Sequence, residues 1–204
     1  MSAAIDAVII DSGGANLASL RYALDRLGAH SAVSCDPALI AAAPRVLLPG
    51  VGAAGDAMAR LRAHGLDRLI PQLRSPVLGI CLGMQLLFEH SAEGATNCLG
   101  VIAGTVERLR AAPGLPVPHM GWNTLDLQRE DPLLTGLRSS DRFYFVHSFA
   151  APINGCLLAS VHYGEARCAI VRQHNFHGVQ FHPERSSVAG ARILRNFLEL
   201  PACC

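Results

Sequence analysis

Residues 76–88 read P-V-L-G-I-C-L-G-M-Q-L-L-F, and the reading of the rest of the chain depends on them. Val77–Ile80 is a short apolar run of the kind that forms a buried strand, and from Leu82 the spacing becomes helical, so Cys81 falls on a strand-to-helix turn. Gly79 and Gly83 bracket the cysteine in the pattern glycine-x-nucleophile-x-glycine. Hydrogen side chains let the backbone turn this sharply and lift the sulfur clear of the sheet. A helix beginning at Leu82 aims unpaired N–H groups and a partial positive charge at the sulfur, which favours the thiolate. The stretch therefore predicts a nucleophile, where a cysteine without the glycine bracket reads as a small buried hydrophobe.

Upstream, the chain alternates strand and helix. Ala4–Ile10 reads as an apolar strand, D-S-G-G-A-N at 11–16 as a turn, and Leu17–Leu27 as a helix stopped by Gly28. Ser31–Ser34 predicts a second strand. Asp36-Pro37 supplies an N-cap and a first-turn proline for a helix through Ala43. Val46–Leu48 is a third strand, and after P-G-V-G at 49–52 helical stretches are expected near Gly55–Arg62 and Leu66–Leu73. This alternation predicts an α/β fold with a parallel sheet covered on both faces and chemistry at the carboxyl ends of its strands. Gly50, Gly52 and Gly55 miss the dinucleotide-binding spacing, and no acidic residue follows at the distance a ribose contact requires.

Downstream the pattern changes. Strands are expected near Val106–Leu109, Thr124–Leu127, Phe143–His147, Leu157–Val161, Ala169–Arg172 and Gly178–Phe181, joined by short connections, which predicts antiparallel additions. P-G-L-P-V-P at 113–118 reads as a rigid loop, H-M-G-W-N at 119–123 as a loop after it, and Ser187 as the cap of a closing helix from Val188 to Leu198. No internal repeat and no domain boundary is visible.

With 204 residues the chain has the length of one domain and needs no metal or disulfide staple. Half the residues are hydrophobic, mean hydropathy is +0.29 and 16% are charged, which excludes disorder and leaves apolar surface for a partner. A formal net charge of +1, with no cluster of lysine and arginine, argues against nucleic acid. The N-terminal stretch lacks a basic region and a cleavage site, and no apolar run reaches the length of a membrane span, so a cytoplasmic protein is expected. Seven cysteines, at 35, 81, 98, 156, 168, 203 and 204, form no C-x-x-C pair, consistent with reduced thiols. His174 and His177 have no carboxylate or cysteine at ligand spacing, so neither a metal nor a cofactor is expected.

A cysteine nucleophile needs a base. V-Q-F-H-P-E at 179–184 places His182 at the end of a buried strand, with Glu184 two residues on and proline between them fixing the direction. Glu184 is suited to hold the ring nitrogen remote from the sulfur and to stabilise the imidazolium. Acyl transfer also needs oxyanion donors, for which the backbone N–H groups of Leu82 and of glycine-flanked Val51 are candidates.

Together, P-G-V-G, G-I-C-L-G-M-Q-L-L and G-V-Q-F-H-P-E-R-S resemble, in order and spacing, the class I (triad) glutamine amidotransferases. D-S-G-G-A-N-L at 11–17, P-V-P-H-M-G-W-N at 116–123 and Y-F-V-H-S-F at 144–149 resemble one branch of that family, the glutaminase subunits of imidazole glycerol phosphate synthase. The resemblance covers nearly the whole chain. It implies a single-domain amidotransferase fold over residues 1–200, followed by a tail at 201–204. It also implies glutamine hydrolysis, with the ammonia passing to a (β/α)8 cyclase subunit in a heterodimer. There the ammonia reacts with a phosphoribulosyl-formimino aminoimidazole carboxamide ribotide to give imidazole glycerol phosphate and AICAR, in histidine biosynthesis.

Carried over by position, the resemblance makes Cys81, His182 and Glu184 the triad. Gly50, Val51, Gly52, Leu82, Gln85, His147, Ser148 and Phe149 become the oxyanion and glutamine-binding set, and Asn16, Trp122 and Arg185 the partner interface. Arg185 stands where some members carry lysine. Phe149 stands where many carry tyrosine, so any glutamine contact there is main-chain. Glutaminases serving anthranilate, carbamoyl phosphate or pyridoxal phosphate synthesis, and a catalytically silent binding subunit, are the competing readings. H-M-G-W-N and the Asn16 turn oppose the first group, and the complete set Cys81, His182 and Glu184 opposes the second.

Overall fold

The computed structural model describes residues 4–12 and 17–201. Asn16 and the tail from residue 202 lie outside the described residues. Strand β1 (Ala7–Ile10) is followed by α1 (Leu17–Arg26), which buries Leu20, Ala23 and Leu24 at helical spacing. Gly28 then takes a left-handed φ of 80° after the helix. Next come β2 (Ser31–Ser34) and α2 (Pro37–Ala41), whose Ala38 N–H donates to the Asp36 side chain as the cap pattern predicts. α2 stops two residues short of the expected Ala43. β3 (Val46–Gly50), α3 (Ala54–Ala63) and α4 (Leu66–Leu69) follow. The helix expected through Leu73 gives way to a 3₁₀ turn at Ile70–Gln72, because Pro71 cannot donate to an α-helical ladder. β4 (Val77–Cys81) then enters the elbow.

β1, β3 and β4 are almost wholly buried because both faces of the sheet are covered. Their side chains alternate: Ala7 and Ile9 pack on one side with α1, and Val8 and Ile10 pack on the other with Ile40, Met58 and Leu61, the period of two that a pleated strand imposes. α5 (Leu82–Gln85) is a single turn, shorter than the helix expected from Leu82, and it runs directly into β5 (Phe88–Ser91).

Beyond this point lie β6 (Thr96–Asn97), β7 (Ile102–Arg108), β8 (His119–Thr124), β9 (Asp126–Leu127), β10 (Arg142–His147) and β11 (Phe149–Ala150). The chain ends with β12 (Leu157–Tyr163), β13 (Glu165–Gln173), β14 (Phe176–Val179) and α6 (Ser187–Glu199). The main sheet has the order β2-β1-β3-β4-β14-β13-β12-β9. It is parallel from β2 to β14 and antiparallel from there to β9, a single-domain α/β fold with antiparallel additions in its second half.

Several local expectations change. The strand expected at Thr124–Leu127 is split between β8, which takes in H-M-G-W-N, and β9. β8 pairs with β10 as a separate two-stranded ribbon. The strand at Val106–Leu109 is the end of β7, in a small sheet of order β11-β7-β5-β6. Ser187 lies inside the closing helix, and Ser186 precedes it without a side-chain cap bond. Ser186 Oγ instead donates to His182 O at 2.7 Å and accepts from Tyr144 N–H at 2.9 Å.

Candidate active site

Cys81 closes β4 at the carboxyl edge of the parallel strands, paired in register with Gly50 of β3. Its own backbone carries the turn: φ is 54° and ψ −113°, a conformation that costs a non-glycine residue on the order of 1–3 kcal/mol. Gly79 and Gly83 do not have positive φ. They are needed for close approach. A Cβ on Gly83 would lie 1.7 Å from Leu48 O, and one on Gly79 would lie 2.6 Å from Gly83 O. With one turn in α5, few peptide dipoles align behind Leu82. The positive character near the sulfur thus comes from the first free N–H groups rather than from a long helix.

His182 follows β14 and is held by its own N–H, which donates to Tyr144 O at 3.0 Å. Pro183 begins a 3₁₀ turn, Pro183–Arg185, that folds Glu184 back beneath the ring. His182 Nδ1 is 2.9 Å from Glu184 Oε1, and both side chains are buried. The ring also hydrogen-bonds to Cys81. Burial opposes a charge on His182, but the bonds and negative charges of Cys81 and Glu184 outweigh it and push its pKa up to about 10. At neutral pH this arrangement holds an imidazolium against the sulfur.

Cys81, Leu82 and His182 open onto a cleft of about 400 Å³ that is also lined by Val51, Gly52, Gln85, His147, Ser148 and Phe149. Of the residues expected to bind glutamine, only Gly50 lies outside this lining. It sits behind the cleft, where a Cβ would be 2.8 Å from Gly83 N. Gln85 Nε2 donates to Phe149 O at 2.8 Å. His147 Nδ1 also reaches Phe149 O, at 2.8 Å.

Besides Val146, which lines the cleft and whose carbonyl lies 3.9 Å from Cys81 Sγ, four residues given no role by the sequence reading take part. Glu93 and Pro118 line the cleft, and Glu93 accepts the Ala54 N–H at the start of α3. His119 stacks between Phe145 and Tyr163, with Nδ1 3.1 Å from His147 Nε2. Burial drives the pKa of His119 and of His147 down to about 4. Because Phe149 O only accepts, His147 carries its proton on Nδ1 and accepts a hydrogen bond from His119 Nδ1–H at Nε2. The fourth is Gln180, a polar side chain inside a buried apolar segment, and that break in pattern was the signal available for it.

Trp122 and Arg185 come together through Tyr144. The indole meets the Tyr144 ring edge-on at 5.9 Å, and the Arg185 guanidinium lies 4.7 Å from the same ring's centroid. Trp122 is 47% exposed and Met120, two residues earlier on the same face of β8, 67%. Among the described residues, no group of three or more His, Cys, Asp or Glu side chains is placed to hold a metal ion, and no helix is long and apolar enough to cross a membrane.

The family model for glutamine amidotransferase class-I matches residues 8–200. The imidazole glycerol phosphate synthase subunit HisH of Xanthomonas campestris pv. campestris (strain 8004) is 53% identical over 96% of this chain and 98% of its own length. The subunit of the same name from Xylella fastidiosa (strain Temecula1) is 52% identical over 97% and 98%. Among solved structures, one described as a glutamine amidotransferase superposes with a TM-score of 0.74 at 21% identity, covering 95% of this chain and 97% of that one. PurLQS from Thermotoga maritima does so with a TM-score of 0.74 at 19% identity, covering 94% and 96%, and these two show the fold. The chain belongs to the class-I glutamine amidotransferases and, within them, to the imidazole glycerol phosphate synthase subunits HisH.

Proposed function

We propose that this chain hydrolyses glutamine through Cys81, His182 and Glu184 and delivers the ammonia to a (β/α)8 cyclase subunit, in a cytoplasmic heterodimer that makes imidazole glycerol phosphate and AICAR. The observation that carries this reading is the buried Glu184–His182 pair set against Cys81 at the mouth of a cleft that can enclose a small amide. The Cys81 thiolate attacks the side-chain carboxamide carbon of glutamine, and the displaced electron pair rests on oxygen, held by the N–H groups of Leu82 and Val51. As the tetrahedral adduct collapses, the C–N bond breaks and the imidazolium of His182 gives its proton to the departing ammonia. The now neutral ring takes a proton from water as it attacks the thioester. The C–S bond pair returns to sulfur, and glutamate leaves with the thiolate and imidazolium restored. Glu184 keeps Nδ1 protonated and the ring oriented throughout.

The partner is proposed to cover the face that carries Met120, Trp122 and Arg185. Large exposed apolar side chains there fit an aromatic-anchored interface. Ammonia delivered through bulk water would be protonated and lose its nucleophilicity, so a docked cyclase receives it where it is made. The test uses the Cys81→Ala variant, assembled with the cyclase. It is expected to lose glutamine-dependent synthesis and to keep synthesis from excess ammonium salt at alkaline pH. Loss of both would make Cys81 structural or the partner wrong.

A further inference from the structure

Gln180 is fully buried, with 0% of its surface exposed. A buried amide must have its donors and acceptor satisfied, and Gln180 places one of its donors on the sulfur. Its Nε2 lies 3.8 Å from Cys81 Sγ, and its Oε1 accepts from Gln85 Nε2 at 3.0 Å. The orientation of both amides follows from their neighbours. Phe149 O, 2.8 Å from Gln85 Nε2, can only accept, so Gln85 presents its NH₂ group there. The second hydrogen of that group then goes to Gln180 Oε1, which leaves the Gln180 NH₂ facing the sulfur. The Gln180 main chain is fixed independently, its N–H donating to Ala169 O at 2.9 Å.

We propose that Gln180 is a catalytic residue that donates from Nε2 to the Cys81 sulfur on the side away from solvent, with Gln85 as the residue that positions it. The proposal rests on the reading of Cys81 as the nucleophile. A hydrogen bond to a charged acceptor is roughly twice as strong as one to a neutral acceptor, so the donor is worth most when the sulfur carries the charge with which it attacks. It acts again in the second half-reaction. When water has added to the thioester and the C–S bond breaks, the bond pair returns to sulfur, and the Gln180 N–H receives the developing charge there. Gln85 ties the same amide to Phe149 O at the cleft wall, so the donor and the wall are set by one pair of hydrogen bonds.

The shape-matched variant Gln180→Met removes the donor and keeps the volume. In the assembled enzyme, iodoacetamide labelling of Cys81 at neutral pH, followed on the Cys81 peptide by mass spectrometry, should slow on the order of tenfold. Glutamine kcat should fall by a similar factor with KM nearly unchanged. Ammonia-dependent synthesis should hold. A folded Gln180→Met enzyme with wild-type labelling and kcat overturns the proposal. Should that variant not fold, the unaltered protein decides: the Gln180 side-chain amide resonance, observed with ¹⁵N label, should move when Cys81 is alkylated. An unmoved resonance overturns the proposal. Absence of glutaminase activity in the unaltered complex, alongside labelling that depends on Gln180, would defeat the proposed function and leave standing only the Gln180 donor to a nucleophilic Cys81.

Discussion

Gly83 of the elbow and Leu48 of β3 are in contact through their backbones: a Cβ on Gly83 would stand 1.7 Å from the Leu48 carbonyl oxygen. Neither side can yield, because Leu48 is in the middle of a parallel ladder and Gly83 is in the only turn of α5. Gly83→Ala is therefore expected to cost more than the ~1–3 kcal/mol typical of overpacking by a methyl group. It should also displace Cys81 from His182. Thermal unfolding and glutaminase turnover measured together check this. A variant with wild-type stability would show that the contact relaxes without cost.

The strain at the elbow is on the nucleophile itself, and that predicts an inverted stability order. At ordinary sites glycine is about 0.5–1 kcal/mol worse than alanine. At position 81, with φ at 54°, Cys81→Gly should instead be more stable than Cys81→Ala by about 1 kcal/mol, since only glycine occupies this region freely. Both variants should be inactive with glutamine. Denaturant titration of the two gives the order directly, and alanine above glycine would mean that the backbone is not strained.

These two cases show how much of the elbow was legible in the sequence. The glycine bracket marked the nucleophile, and the strand-helix alternation through Phe88 gave the parallel half of the sheet. Which residue holds the positive φ, and which glycines are there for packing, depends on β3 lying against α5, a contact between segments more than thirty residues apart. The same limit hid the ribbon of β8 and β10. H-M-G-W-N carries a glycine at φ 137° and alternates without a buried face on both sides, so it reads as loop until Tyr144 and Val146 are placed opposite it. Gln180 and His119 became interpretable only once their hydrogen-bond partners, distant in sequence, were in place.

Buried neutral histidines should make the fold acid-labile. His177 is 2% exposed, and burial lowers its pKa from 6.5 to about 4, with the charges of Asp131 and Arg172 acting in opposite senses. The folded pKa is below the unfolded one, so its contribution is full above pH 6.5 and is lost as pH falls toward 4. For a gap of this size the loss approaches roughly 3 kcal/mol at full protonation. His177→Leu should flatten the acid limb of stability measured by denaturant between pH 7 and 5. His182 has the opposite sign. Its pKa is raised to about 10, so its contribution is full below pH 6.5 and fades as pH rises through 10. Cys81→Ala should flatten that alkaline limb.

Trp122, half exposed at the edge of the Tyr144–Arg185 stack, has the character of an interface anchor. Trp122→Ala should leave the melting temperature of the free subunit within a degree or two of wild type, since little packing is lost. It should weaken association with the cyclase by about 2 kcal/mol or more, near thirtyfold in Kd. Titration calorimetry separates the two effects, and unchanged affinity would move the docking face elsewhere.

The last expectation concerns Gly50-Val51-Gly52. Gly50 is clamped: a Cβ there would meet Gly83 N at 2.8 Å and Leu82 Cβ at 2.9 Å. Val51 follows it and lines the same cleft as Leu82, the other proposed oxyanion donor. Gly52 is constrained only by its backbone, with φ at 86° and nothing within 4 Å of a Cβ. Glycine on both sides of Val51 lowers the cost of rotating the intervening peptide, and we propose that the Val51 N–H joins the oxyanion site only as the partner docks. One oxyanion donor is worth about 10²–10³ in turnover. Glutamine turnover should therefore rise by about that factor from the free subunit to the complex with cyclase ligand, without an equal change in KM. Gly52→Ala adds a methyl group in open space, so its effect is confined to the cost of positive φ, about 1–2 kcal/mol. It should shift the loop away from this conformation and change the activation ratio while the fold persists. Steady-state kinetics on the free subunit, the complex and the liganded complex test both points. Equal turnover in all three would show that the Val51 donor is in place from the outset.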